Sequence, residues 1–588
     1  MNSANWHARI SVAALCAMLT LPFLEPHHFR PITTFFQEWT AATCGLLAAT
    51  LLLRKQTIEQ LEIPAIACLP LGFVGLLLAQ LTFGLIASIP QALIVALYLL
   101  WAMLLMVLGR ALRQQFPLES LIKTLASSLL AGALLSSVIL AFQLFAPEFA
   151  AGWIVTFVQG SANLAQANHL ANYLWLGMAS AIYLHSQGKI GVGFFWLCAL
   201  LLVSAASLTG SRSVLLYATG FALLSLWAAR HFRDSTQSPS LRRIAVLCVI
   251  ALPLSLALQW ALSHLDLSNT HQLTVSGERF FREVSGTSIR IQLWQTAIEV
   301  YTQHPWLGAG IGQYPYNSYL SAGTQADGSL FGGAEHAHNI ILHLLAECGP
   351  AGPLLIIFFG LHWWLRFVRQ EWSAAHWWIA AVLLILATHS QLEYPLWYSF
   401  FLGIAALLLG IGSNGGTHPK ITRTSRPLLG LILILGALTL TTLATDYQQL
   451  ERTLNKRSNA SNEKASLRST LDSLAKLQKE SLFAPYVELS YAYQLDVDKE
   501  KLKDKISVTQ TAIRFSPVDL ISYKLAYLLA LDGQQGAALA ALQRATATHP
   551  DFLPHARMQL GELAKRYPEL DALCKALPEP TSTAKRSD

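Results

Sequence analysis

Apolar runs about as long as a bilayer is thick constrain this chain more than any other feature. Leu93–Gly109 reads LIVALYLLWAMLLMVLG, Gly191–Ser207 reads GVGFFWLCALLLVSAAS, and Trp397–Gly412 reads WYSFFLGIAALLLGIG. Each approaches the roughly 20 apolar residues that cross a hydrocarbon core of about 30 Å. In hydrocarbon a segment must satisfy its own backbone hydrogen bonds, so such runs fold as α-helices. Thirteen candidate spans fall near 9–25, 38–53, 63–84, 91–109, 124–143, 168–185, 191–208, 213–229, 244–262, 349–367, 375–390, 396–413 and 428–446. Only 13% of the 588 residues are charged, too few to cover a soluble protein of this length. The expected fold is all-α: a polytopic transmembrane helical bundle over 1–446. The first run follows Arg9 and lacks a small-residue cleavage signature before Leu24-Glu25-Pro26, so it reads as a retained anchor.

The placement of basic residues orients the bundle. Alternate short loops contain Arg54-Lys55; Arg110, Arg113 and Lys123; Lys189; Arg230, Arg233, Arg242 and Arg243; Arg366 and Arg369; and Lys420, Arg423 and Arg426. The intervening short loops contain only Arg30 and Arg212. The positive-inside rule then puts the amino terminus and the basic loops in the cytoplasm. A long loop, about 263–348, and the carboxy terminus come out on the opposite, non-cytoplasmic side. The net charge of +7 therefore orients a membrane protein rather than marking a nucleic-acid binder. Arg30 and Arg212 are exceptions to the pattern. An ionisable group kept near a membrane at a cost is a functional candidate.

Past Tyr447 charge rises and helical periodicity replaces the apolar runs, so 447–588 is expected to be a periplasmic helical domain. Tyr523–Leu531 and Gly536–Thr548 form two short helices meeting at Asp532-Gly533 and closed by Pro550, a tetratricopeptide-like pair. Three clean repeats are not found. Five of the seven cysteines (Cys16, Cys44, Cys68, Cys198 and Cys248) lie in apolar runs and there is no CxxC, so no disulfide framework is expected.

The candidate chemistry lies in the long loop. Glu335-His336-Ala337-His338-Asn339 precedes IILHLLAE and Gly349-Pro350-Ala351-Gly352. A helix starting near His338 or Asn339 would hold a histidine at the interface, where its pKa near working pH suits it to take a proton from a hydroxyl. The same pattern fits a helix cap. It fits a metal pair less well, because His336 and His338 do not share a helical face and HExxH is absent. Thr209-Gly210-Ser211-Arg212-Ser213 offers an arginine fork with small neighbours, suited to phosphate or to simple snorkelling. Arg290 opens an amphipathic helix in the loop that carries His338. Two polar segments at membrane edges, Gln166-Ala-Asn168-His169 and His389-Ser-Gln-Leu-Glu393-Tyr394-Pro-Leu-Trp397, could bind sugar hydroxyls or an acceptor chain, or could anchor the interface.

These residues resemble the bacterial protein O-oligosaccharyltransferases of the pilin-glycosylating type, within the O-antigen ligase and polymerase superfamily. His338-Asn339, nine residues, then Gly349-x-x-Gly352 is similar to the ligase signature. His304-Pro-Trp-Leu-Gly-Ala-Gly310, QANHLANYLWLG, the TGSR turn and HSQLEYPLWYSFFLG resemble family segments in their places. Leu21–Pro31 with His27-His28, Phe35-Phe36-Gln37-Glu38, and the carboxy-terminal helices resemble the protein-modifying branch. The resemblance implies a glycosyltransferase that moves an oligosaccharide from undecaprenyl pyrophosphate to a Ser or Thr hydroxyl of a periplasmic or pilin protein. His338 would be the base, and Arg212 and Arg290 would hold the pyrophosphate. Gln166, Asn168, Asn339, Glu393 and Tyr394 would contact substrate, with no cofactor or metal. The nearest alternatives are a ligase with a lipid A–core acceptor or a polymerase; a transporter, which would line a mid-membrane path with polar groups, is a different class.

Overall fold

The computed structural model describes residues 6–578 except 151, 157, 159, 264–288, 325–329, 332 and 459–462. The amino-terminal half of the bundle comprises α1 (Trp6–Met18), α2 (Phe35–Ala49), the short α3 (Lys55–Glu59), α4 (Cys68–Thr82), α5 (Ile89–Gln115), α6 (Leu118–Phe145), α7 (Ala167–Ser186), α8 (Val192–Leu208), α9 (Ser213–His231) and α10 (Ser238–Ser263). The loop holds α11 (Ile289–Gln303), α12 (Tyr314–Ser321), a two-residue hairpin of β1 (Gly323–Thr324) and β2 (Leu330–Phe331), and α13 (Ile340–Cys348). Then come α14 (Ala351–Phe367), α15 (Ala374–Ser390), α16 (Ser399–Gly412) and α17 (Ser425–Ser458). The carboxy-terminal helices are α18 (Glu463–Glu480), α19 (Ala484–Gln494), α20 (Leu502–Phe515), α21 (Asp519–Leu531), α22 (Gln535–Thr548), α23 (Leu553–Ala564) and α24 (Asp571–Ala576).

Helices occupy all thirteen apolar stretches. Among the described residues seven helices are long and apolar enough to cross a membrane, and four more are apolar but shorter. Length and apolar surface agree. Leu428, Leu431, Ile432, Ile434, Leu435 and Leu438 of α17 are all exposed, as are Leu354, Ile357, Phe358 and Leu361 of α14. Apolar belts of this extent are untenable in water and suit lipid. The protein is a multi-pass membrane protein.

The bundle is held as lipid-embedded helices usually are, by close small-residue contacts and satisfied polar groups. A Cβ at Gly109 would lie 2.4 Å from the Leu407 oxygen, and one at Gly410 would lie 2.1 Å from that of Met106, so α5 and α16 meet backbone to backbone. In the interior, the Trp377 indole N–H donates to Ser225 Oγ at 2.9 Å and that of Trp378 to Ser180 Oγ at 3.0 Å. Nearly all of α7 is buried, which makes it a central post for the helices around it.

The two ends of the bundle differ. Near the start of α5, Gln91 Nε2 donates to the Gly312 oxygen of the long loop. Nineteen residues later, Arg110 pairs with Glu62 and donates to the Ser413 oxygen. At about 1.5 Å per residue these ends lie roughly 30 Å apart, one hydrocarbon thickness. The loop of His338 and the basic loop at Arg110 therefore lie at opposite ends.

The 446/447 boundary read from composition falls inside one continuous helix, α17. Tyr447 is buried there against Phe35 and Phe483, and its hydroxyl donates to the Phe29 and Ile32 oxygens. Helical hydrogen bonding runs straight through the change in composition because this apolar patch sits on it. The expected helix pair appears as α21 and α22, with Gly533 at φ +79° in the turn.

Candidate functional site

Gly308 and Gly349 are structural. Gly308 (φ +71°) and Gly349 (φ +60°) adopt backbone that disfavours side chains. A Cβ at Gly308 would lie 2.2 Å from the Glu347 carbonyl carbon, and one at Gly349 would lie 2.4 Å from the Trp306 oxygen. Between them the Ala309 N–H donates to the Ala346 oxygen at 2.8 Å, and the Gly310 N–H to that of Glu347 at 3.0 Å. Gln80 of α4 secures the same crossing, donating to the Leu307 and Glu347 oxygens and accepting from the Ile311 N–H. Segment 304–310 is thus riveted to the carboxy-terminal end of α13, and His338 precedes the other end. The amino-terminal cap is Asn339, whose Oδ1 accepts from the Leu342 N–H at 3.0 Å.

His338 takes φ +47°, which turns it out of line with α13 toward the loop after α15. Its Nδ1 lies 3.1 Å from the Leu392 oxygen and 3.2 Å from Glu393 Oε2. Both are acceptors, so Nδ1 must carry the proton and Nε2 the lone pair. Glu393 is fixed in turn: Asn168 Nδ2 donates to its Oε1 at 2.7 Å, and its own N–H donates to the His389 oxygen at 2.8 Å. The carboxylate side chain is 6% exposed while that of His338 is 29% exposed. Burial alone would lower the His338 pKa, but the Glu393 carboxylate and the Leu392 carbonyl outweigh it and hold it above the ordinary histidine value. The arrangement is an oriented imidazole with a buried carboxylate behind it, a constellation that prepares a hydroxyl for attack.

His336 is placed differently. Its ring stacks on Tyr394 with centroids 3.9 Å apart, and burial, with the neighbouring histidines, pushes its pKa well below the ordinary value. It packs as a neutral ring. His343, one turn into α13, accepts from the Ala337 N–H at 3.4 Å through Nδ1 and faces Glu347 at 3.5 Å through Nε2. It braces the turn that His338 sits on.

Arg290, near the start of α11, lies close enough for its charge to oppose a proton on His338. Arg212 is exposed and immediately precedes α9, without a side-chain cap to it. Five residues on, the Tyr217 hydroxyl meets His389 Nδ1 at 2.6 Å, which ties this end of α9 to the end of α15. Gln166 caps α7, its side chain accepting from the His169 N–H. Asn168 and Glu393 come together on His338; Tyr394 flanks it with ring centroids 5.7 Å apart. The amino-terminal segment is tied to the loop before α7: His28 Nε2 lies 2.8 Å from the Asn163 oxygen, to which Gln37 Nε2 also donates. Sequence reasoning did not find Glu393 behind His338, nor Gln80, His343 and Tyr217. The i, i+4 spacing of His343 and Glu347 was the available signal for one of these.

Known proteins match over these parts. A family model described as "O-Antigen ligase" matches residues 197–359, the stretch with Arg212, Arg290 and His338. One described as "Virulence factor membrane-bound polymerase, C-terminal" matches residues 377–560, the stretch with Glu393 and Tyr394. The general O-oligosaccharyltransferase of Acinetobacter baylyi is 28% identical over 463 residues, covering 75% of this chain and 78% of that protein.

Proposed function

We propose that this chain, an oligosaccharyltransferase of the O-antigen ligase superfamily, moves an oligosaccharide from undecaprenyl pyrophosphate to Ser or Thr hydroxyls of periplasmic or pilin proteins. The observation that carries the reading is the oriented imidazole of His338, with Nδ1 committed to Glu393 and the Leu392 carbonyl. Nε2 takes the acceptor's hydroxyl proton as the new bond forms from that oxygen to the anomeric carbon. The bond from that carbon to the pyrophosphate oxygen breaks, and the lipid pyrophosphate leaves with the electron pair. Arg212 and Arg290 hold the leaving charge, which two guanidinium groups stabilise as it develops. Gln166, Asn168, Asn339, Glu393 and Tyr394 line the substrate side. Asn168 and Glu393 act largely through His338, since their polar atoms already meet there.

In this reading the bundle lies in the bacterial inner membrane, with His338 and the 447–588 helices in the periplasm. The alternation of basic loops and the separation of Arg110 from the His338 loop support that orientation. A second reading, ligation to lipid A–core or polymerisation on lipid, draws support from the printed descriptions of the two family models. The deciding experiment incubates the purified protein and one undecaprenyl-pyrophosphate oligosaccharide with a pilin, another periplasmic protein, or lipid A–core. Transfer to protein alone supports the first reading; transfer to lipid A–core alone would replace it with the second.

A further inference from the structure

Between α12 and His338 the loop does not lie on the membrane bundle alone. Tyr319 of α12 is 2% exposed, buried among Tyr523, Leu542 and other residues of the carboxy-terminal helices. Arg544 of α22 lies over its ring at 5.9 Å. The hairpin of β1 and β2 pairs Gly323 with Phe331 and Thr324 with Leu330, returning the chain to the same place. There the Gly333 N–H donates to Thr548 Oγ1, the last residue of α22, at 3.3 Å. The Ala334 N–H donates to Ser318 Oγ at 2.9 Å, so the returning strand is tied both to α22 and to α12 beside Tyr319. A Cβ on Gly333 would lie 3.0 Å from the Tyr319 Cα, which leaves no slack in the packing.

Only four peptide units separate Ala334 from His338, and an extended chain covers at most about 14 Å in that length. His336 and Ala337 inside that stretch are held by Tyr394 and His343. A shift at Thr548 therefore has little chain in which to dissipate before it reaches the imidazole. Arg514 of α20 also donates to the Gly84 oxygen, so the carboxy-terminal helices grip a bundle loop beside the one they hold.

We infer that the carboxy-terminal helices are part of the reactive site: α22, through Thr548 and the seat of Tyr319, holds the 333–338 strand so that His338 keeps its aim. Thr548 and Tyr319 are positioning residues, acting through the loop without touching substrate. The inference rests on the transferase reading above.

The test uses the full-length protein with a purified lipid-linked donor and a protein acceptor. Thr548→Val keeps the shape and removes the acceptor of the Gly333 N–H. It should lower kcat roughly threefold to tenfold, the size of one lost hydrogen bond. Donor and acceptor KM and the melting temperature should stay near wild type, and Thr548→Ser should recover most of the rate. Amide exchange at 331–338 should quicken in Thr548→Val and in Tyr319→Ala but not in Thr548→Ser or Tyr319→Phe, a readout that needs no turnover. Tyr319→Phe should behave as wild type, since the seat requires the ring, whereas Tyr319→Ala should lose more than Thr548→Val. Wild-type kcat and exchange in Thr548→Val would overturn the inference, as would a change confined to acceptor KM or no rescue by Ser. Absence of transfer by the wild-type protein would instead defeat the transferase reading and leave the exchange result to judge the seat.

Discussion

Glu393 stands 3.2 Å from Nδ1 of His338, although 55 residues and two helices of the bundle separate them in the chain. The contact fixes which ring nitrogen holds the proton, and it sets the pH at which the ring can accept another. With its pKa held above the ordinary value, His338 is protonated, and so unable to act as a base, below that raised pKa. Transfer should therefore rise with pH along an acidic limb lying above about 6.5. Glu393→Gln removes the carboxylate that does most to raise the pKa and leaves the Leu392 carbonyl to work alone against burial and Arg290, which lower it. The limb should move to lower pH while the plateau falls about 10²- to 10⁴-fold, because a glutamine amide can present N–H to Nδ1 and favour the wrong tautomer. A pH–rate profile of the two proteins checks this; an unmoved limb would separate Glu393 from the titration of His338.

His338→Ala should abolish transfer with expression intact, and His336→Ala should cost far less. His336 packs as a neutral ring on Tyr394, and no carboxylate among the described residues pairs with it. Equal and total loss in both, together with sensitivity to chelators, would point to a metal-binding pair.

The glycine rivet predicts a contrast in stability. Gly349→Ala and Gly308→Ala each force a side chain into left-handed backbone and into a neighbouring main chain. Each should cost at least about 2 kcal/mol. Gly360→Ala, in α14, meets nothing within 4 Å and should be neutral or slightly stabilising, as alanine is in a helix. Thermal unfolding of the three variants in detergent measures the difference.

These contrasts also mark how far the sequence could be read. Helix positions were legible, because apolar period and length are local properties. His338 stood out because it precedes an expected helix start and because its spacing to Gly349 resembles the ligase signature; its role in transfer is a proposal. Asn339 was foreseen as a helix start for the same local reason. The pairing of Glu393 with His338 was not legible, because a contact across two helices leaves no trace in spacing; Glu393 read as a polar residue at a membrane edge and, by resemblance, as a substrate contact. The continuity of α17 across 446/447 was not legible, because composition follows the solvent, whereas backbone hydrogen bonding does not. The seat of Tyr319 among the carboxy-terminal helices had no signal at all: one tyrosine in a loop looks like many others.

The two arginines give the last prediction. Arg290 is near enough to oppose a proton on His338, so Arg290→Ala should raise the histidine's pKa further and shift the acidic limb upward, the reverse of Glu393→Gln. Arg212 begins α9, which joins the end of α15 through Tyr217 and His389, and its loss should leave that limb in place. Both should slow transfer, since a charge-assisted contact to phosphate contributes roughly 1.5–3 kcal/mol, or about one to two orders of magnitude in rate. Lysine should restore only part, because an ammonium cannot offer two parallel donors to a phosphate. A group that holds the leaving pyrophosphate serves every acceptor alike, so the loss should be the same whichever acceptor is supplied. Rates from one purified donor to two unrelated acceptor proteins decide the matter. An arginine whose removal slows one acceptor and spares the other belongs to the acceptor groove, and its assignment to the pyrophosphate would then be wrong.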